Sequence, residues 1–330
     1  PFWAAVAQRQ QQQQQQDSPK IMLNGRLLAV VGVMIHPRAI DIRNYIRVVM
    51  PVPSTMKRVF VMAHAHKADA ASSDIMLVRA IESPAFQSIK SLSYFSRAVR
   101  QFPHAKWIFK TDSDSYIHFD RMQTALGRLP STVSYTGHIM WSSHTGTGRC
   151  GCCGYSRGGA VWLRTNPRAM GRDCPENATG PFAFAGGMLF GIRPSAFPVE
   201  FARRVRDKID DAQRPTEFTW SEDNTLGYIM SASSRLRAQP LCDACLHDYD
   251  DPNTPQRLLP LLTHPSIRLT TENITTGHPS RWDTPECFTP ITIVAHRIKD
   301  IASMHRIHAL RTRLDALGSW RMPPLQSHFD

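Results

Sequence analysis

Lys106-Trp107-Ile108-Phe109-Lys110-Thr111-Asp112-Ser113-Asp114-Ser115-Tyr116 decides how the chain is read. Lys106 to Thr111 reads as a short buried strand, and it stops at two aspartates that flank one serine. In an open α/β sheet, ligands bind at the carboxyl ends of strands. Asp-x-Asp at such a place can hold a divalent cation that bridges to a diphosphate and spreads the charge of a departing one. The same letters also suit a plain acidic turn, since Asp and Ser favour turns. The preceding helix and the apolar Trp107-Ile108-Phe109 favour the functional reading.

Working upstream, Ser88–Phe102 places Ile89, Leu92, Phe95, Val99 and Phe102 at steps of three and four, an amphipathic helix. Arg58–Ala63 is a second short apolar strand. Leu27–Ile35, interrupted only by Gly32, is a continuous apolar run of the kind buried on both faces of a sheet. A helical stretch after Pro37 lies between these two strands. Alternating strands and helices predict an α/β fold with a parallel, Rossmann-like sheet. Neither a Gly-x-Gly-x-x-Gly dinucleotide fingerprint nor a P-loop occurs.

Downstream, Val133–Ile139 and Phe182–Ile192 read as strands, with a Gly- and Cys-rich loop region over 142–181 between them. Gly186-Gly187 interrupts the second strand, which allows a ligand or another chain to approach the backbone, or marks a β-bulge. Pro194–Ala212 reads as one helix, with Phe197, Phe201, Val205 and Ile209 at steps of four. Ser221–Ala232 reads as another, with Ser221 as N-cap and Glu222 and Asp223 in its first turn. Those acids are either simple partners of the helix dipole or, for a carboxylate kept ionised there, a general base for a hydroxyl group. His296 follows a β-like run and can supply an imidazole to a metal, and Lys299 can contact phosphate oxygens.

The chain has 330 residues, 42% hydrophobic and 20% charged, which excludes a wholly disordered protein. Its 39 Lys and Arg exceed its 27 Asp and Glu, giving a formal charge of +12. The basic residues are dispersed rather than clustered among aromatics, which argues against a dedicated nucleic-acid binder. No apolar run is long enough to span a bilayer. Residues 1–20, with Gln10 to Gln16, form a low-complexity stem, so folding is expected over 21–315, followed by a tail at 316–330. Seven cysteines, at 150, 152, 153, 174, 242, 245 and 287, suit disulfides, zinc ligation or free thiols. The sequons at Asn177 and Asn273 tilt the balance toward disulfides in an oxidising compartment.

Lys110–Asp114, Gly186-Gly187, Glu222-Asp223-Asn224-Thr225-Leu226-Gly227 and His296 with Lys299, in this order, resemble the fringe-like β-1,3-glycosyltransferases. Arg38–Arg43 is similar to that family's Arg-rich segment after the first strand, and Ser73-Asp74-Ile75-Met76 to its Asp-Ile-Leu stretch. The stem and His296-Arg297-Ile298-Lys299 suggest the trypanosomatid branch. Three features depart from the family pattern: Ser113 replaces the middle acid, Asn224 replaces a valine, and the Cys150–Cys153 insert has no counterpart.

The resemblance implies a GT-A fold, with a Rossmann-like nucleotide-binding half and a mixed central sheet. It implies an inverting transfer of galactose or N-acetylglucosamine from UDP-galactose or UDP-N-acetylglucosamine to a glycan acceptor, with Mn²⁺ or a similar ion. Asp223 is then the base, and Asp112, Asp114 and His296 hold the metal. Arg38, Arg43, Asp74, Asp112 and Lys299 contact the donor, and Gly186 and Gly187 line the donor and acceptor strand. The implied location is the Golgi lumen, behind a type II membrane anchor that would lie before Pro1. Two alternatives are a glycan-binding relative without catalysis and a basic nucleic-acid-binding protein.

Overall fold

The computed structural model describes residues 27–64, 72–83, 86–145, 148–150, 179–212, 222–241, 246–248 and 294–296, with isolated positions between 301 and 312. The stem, Asn177, Asn273, Lys299, the tail and every cysteine except Cys150 lie outside them.

Three apolar runs make the centre of the sheet: β1 (Ala29–Met34), β2 (Met56–Met62) and β4 (Trp107–Asp112). All six residues of β1 are buried because both of its faces are covered. A short β3 (Ile75–Leu77) adds to β2. These four strands run parallel in the order β3-β2-β1-β4. The long β8 (Thr179–Ile192) joins β4 antiparallel and β6 (Tyr135–Thr145) joins β8 antiparallel, so the sheet is mixed. β7 (Gly148–Cys150) and β9 (Ala238–Pro240) both pair with β6. A smaller sheet runs in the order β10 (Leu246–Asp248), β11 (Val294–His296) and β5 (Tyr116–Ile117). The expected α/β architecture, a parallel nucleotide-binding-type half continued by antiparallel strands, is therefore present.

Helices cover both faces because alternate strand residues point to opposite sides. Ala29, Val31 and Val33 pack with α1 (Ile40–Val49) and α3 (Phe119–Arg128). Val30, Met34 and Ile108 pack with α2 (Gln87–Gln101), α4 (Val199–Ala212) and α5 (Glu222–Ser231). On that second face Phe95 of α2 stacks on Phe190 of β8 at 5.7 Å and lies 5.8 Å from Phe197. Burying a side chain of this size contributes about 1.5–3 kcal/mol, so this aromatic group anchors α2 to β8.

Two expectations need correction. Pro194–Ala212 is not one helix: Pro194–Ala196 forms a 3₁₀ turn and the α-helix starts at Val199. Pro198 cannot donate to a preceding carbonyl, so the regular helix begins after it. The region 142–181 is not simply a loop: β6 continues to Thr145, β7 follows, and β8 begins at Thr179. Residues 151–178 lie outside the described part.

Candidate active site

The site lies at the carboxyl ends of β1 and β4, where Met34 and Asp112 are register partners. Lys110 and Asp112 are two residues apart on β4 and so share the sheet face covered by α2 and α5. The ammonium of Lys110 lies 2.9 Å from Asp112 Oδ1 and 3.0 Å from Glu222 Oε2 at the start of α5. It also donates to the carbonyl of Gly187 at 3.4 Å. Ser91 of α2 donates its hydroxyl to Glu222. On β4, Thr111 Oγ1 donates to the Met188 carbonyl at 2.6 Å, and Ser115 Oγ donates to it at 3.3 Å. The turn that carries Asp114 is thereby pinned to β8.

Gly187 is the hub of this arrangement. A Cβ built on it would lie 3.2 Å from Asp112 Oδ2 and 3.2 and 3.3 Å from the two carboxylate oxygens of Asp223. Two acids remote in sequence therefore converge on one methyl-sized space. Gly227 allows this from the other side. A Cβ there would overlap Phe184 Cβ and lie 2.9 Å from the Ala183 carbonyl. Its absence lets α5 rest directly on β8 and deliver Asp223 to Gly187. Gly186 lies beside it in the same strand, buried.

A second buried ion pair braces the neighbouring loops. Lys90 Nζ lies 2.7 Å from Glu82 and donates to the Ile35 carbonyl at 2.8 Å, and Glu82 accepts the Ala63 amide at 2.6 Å. The chain after β1, β2 and β3 is knitted together at the carboxyl ends of these strands.

Electrostatically, two ammonium groups face four carboxylates, Glu82, Asp112, Glu222 and Asp223. Burial opposes the charge of Lys110, but Asp112, Glu222 and Asp223 outweigh it and raise its pKa above the ordinary lysine range. Burial also lowers the pKa of Lys90, against the opposing pull of Glu82. Burial, reinforced by Asp112 and Asp223, pushes Glu222 up to about 7, against Lys110 and Ser91.

The excess of negative charge suits a divalent cation. Among the described residues no three metal-ligating side chains converge. Two carboxylates are nonetheless the donor set of a Mg²⁺-like ion whose remaining ligands are substrate phosphates and water. The residues present fit such an ion. The register of β11 on β5, Ala295 with Tyr116, brings the backbone of His296 to the turn that carries Asp114. In β10, Asp248 pairs with His296.

The donor residues anticipated near β1 separate. Arg38 is exposed on the loop after β1, and its amide donates to His36 Nδ1 at 3.1 Å. Arg43 is buried and reaches the Pro37 carbonyl and Met62 Sδ, both at 3.5 Å, beneath that loop. Asp74 accepts from Arg47 at 2.8 and 2.9 Å through both oxygens and stands at the start of β3, away from the strand ends. Sequence reasoning overlooked the roles of Lys110, Ser91, Lys90 and Glu82. Only Lys110 offered a signal: a lysine inside an apolar strand, two residues before an acid.

A family model described as Galactosyltransferase matches residues 54–165, a minority of the chain. The match includes β2, β4 and the Asp112–Asp114 turn, and ends before β8 and α5. No curated protein matches. Among solved structures, the chain is similar to the galactosyltransferase LgtC bound to donor and acceptor sugar analogues. That likeness has 9% identity and a TM-score of 0.39, over 91% of this chain and 98% of the other. It is also similar to the apo glycosyltransferase GlyE of Streptococcus pneumoniae, at 12% identity and a TM-score of 0.38, over 91% and 66%. The apo form of mouse xyloside xylosyltransferase 1 matches at 11% identity and a TM-score of 0.34, over 68% and 87%. At these scores the likenesses carry no argument about activity.

Proposed function

We propose that this protein is an inverting glycosyltransferase of GT-A type. It moves galactose or N-acetylglucosamine from a UDP-sugar to a glycan hydroxyl, forming a β-1,3 linkage. The observation that carries this reading is the meeting of Asp112 and Asp223 across Gly187. It joins a strand-end acid suited to a metal-bound diphosphate to a helix-start acid suited to a proton. The partial match to the galactosyltransferase family supports the donor class.

Asp114, with Asp112 and His296, would hold Mn²⁺ or a similar ion, and the ion would supply Lewis-acid neutralisation of charge on the diphosphate. Asp223 lies in the first turn of α5, where the helix dipole favours its ionised form. It takes the proton of the acceptor hydroxyl as that oxygen attacks the anomeric carbon. The bond from that carbon to the diphosphate breaks, UDP carries away the electron pair, and the proton stays on Asp223. Arg38, exposed beside the strand ends, is assigned to the donor phosphates together with Lys299. Arg43 is assigned to supporting the donor side through the loop after β1, whereas Asp74, held by Arg47 at the start of β3, is given no donor contact.

In this reading the chain acts in the Golgi lumen behind an N-terminal anchor, within the fringe-like family and its trypanosomatid branch. Asn177 and Asn273 are then glycosylated and most cysteines oxidised. Five or more free thiols in zinc-free protein from a secretory host would count against that location.

The deciding experiment is a screen of UDP-sugars for slow hydrolysis, which needs no acceptor. UDP release from UDP-galactose or UDP-N-acetylglucosamine is expected, lost with a chelator and nearly abolished by Asp114→Ala. Full turnover of Asp114→Ala in chelator-treated buffer would remove the metal assignment. No turnover of any UDP-sugar, with glycan binding retained, would make the protein a lectin-like relative instead.

A further inference from the structure

Lys110 joins three segments that are far apart in the chain, and nothing in the chemistry above uses it. Its side chain is completely buried. An ammonium has three N–H donors, and three oxygens surround this one: Asp112 Oδ1 on its own strand, Glu222 Oε2 on α5 and the Gly187 carbonyl on β8. The Phe190 ring lies 5.6 Å away on another side. Stability alone is a poor reason to keep such a charge. Apolar replacements of buried ion pairs are often neutral or stabilising, whereas removing one partner is costly.

The geometry shows what the charge does to its neighbours. Asp112 turns Oδ1 to Lys110, and its other oxygen, Oδ2, is the one beside Gly187. Glu222 is held between Lys110 and Ser91, and the next residue is Asp223, whose two oxygens reach the same space.

We propose that Lys110 is a positioning residue that fixes the spacing between Asp112 and Asp223, directly through Asp112 and indirectly through Glu222. It thereby couples the donor side of the site to the acceptor side. The proposal rests on the glycosyltransferase reading.

The test compares four proteins: wild type, Lys110→Met, Glu222→Gln and the double variant. Each is measured for the melting temperature of the metal-free protein, for Mn²⁺ affinity by titration, and for metal-dependent UDP-sugar turnover. Lys110→Met leaves two partly buried carboxylates, Asp112 and Glu222, without their cation and should melt well below wild type. The double variant removes both halves of the Lys110–Glu222 pair and should recover much of that loss. Its turnover should nevertheless stay about a hundredfold below wild type, the order of loss that a displacement of about 1 Å produces in a reacting group. Glu222→Gln alone, with Asp112 still held, should lose less than tenfold. Mn²⁺ should bind more weakly to Lys110→Met although a nearby positive charge has been removed, the opposite of what charge alone predicts.

Wild-type turnover in the double variant, or tighter Mn²⁺ binding by Lys110→Met with turnover unimpaired, would overturn the positioning role and leave Lys110 a buried counter-ion. A wild-type protein that turns over no UDP-sugar would instead overturn the catalytic reading, and this role with it. The two failures are therefore distinguishable.

Discussion

Gly227 of α5 lies so close to Phe184 of β8 that no side chain fits between them. The contact sets the depth at which the helix rests on the strand, and so where its first turn, with Asp223, meets Gly187. Gly227→Ala should push α5 off β8. Overpacking of this kind typically costs about 1–3 kcal/mol. Urea unfolding should show that loss, and turnover should fall further than the destabilisation accounts for. Unchanged turnover in a destabilised variant would mean that the helix depth does not matter to the site.

Gly187→Ala probes the space itself. Its Cβ would stand 3.2 Å from Asp112 Oδ2 and from Asp223 Oδ1, tighter than ordinary contact but against side-chain ends that can turn away. A small change in melting temperature is expected, with a large loss of turnover because both acids are displaced at once. Near-normal turnover would show that the reacting groups do not use this space.

Asp223→Asn keeps the size of the side chain and removes its basic oxygen. General-base catalysis typically contributes ~10²–10⁴ in rate, and a loss in that range is expected with UDP affinity nearly unchanged. Turnover and UDP binding should be measured for Asp223→Asn and Glu222→Gln side by side. Equal, mild losses in both, or a loss confined to Glu222→Gln, would remove Asp223 as the base.

Glu222 gives the protein a pH signature. Burial raises its folded-state pKa from 4.5 to about 7. Between those values the folded state keeps a proton that the unfolded state has released, so this group's contribution falls as pH rises from about 4.5 to 7 and is level beyond. Glu222→Gln cannot lose that proton. Its stability relative to wild type should therefore rise with pH across that interval, as measured by denaturant unfolding at a series of pH values. A difference independent of pH would show that Glu222 titrates normally.

Much of the framework was legible in local pattern. β1, β2 and β4 stand within two residues of the apolar runs that announce them, because strands buried on both faces must be apolar throughout. α2 is close to its predicted bounds because its apolar residues recur at helical spacing. β3, β5, β7, β9, β10 and β11 have only two or three residues each, too few to show a period of two. α3, with Phe119, Met122, Ala125 and Leu126 at helical spacing, is a helix that the structure adds to those predicted.

By itself, the sequence determined which stretches are buried and that an acidic pair closes a buried strand. It also determined that two acids open a later helix and that glycines interrupt β8 and α5. These are local properties, written in composition and period. Only the tertiary structure decided that Asp112 and Asp223 share the space over Gly187, that Glu222 turns inward to Lys110 and Ser91, and that Asp74 is bound to Arg47. A carboxylate's partner depends on which strands pair and how closely a helix approaches them. Those are long-range consequences of burying the whole chain at once, and no short window of residues contains them.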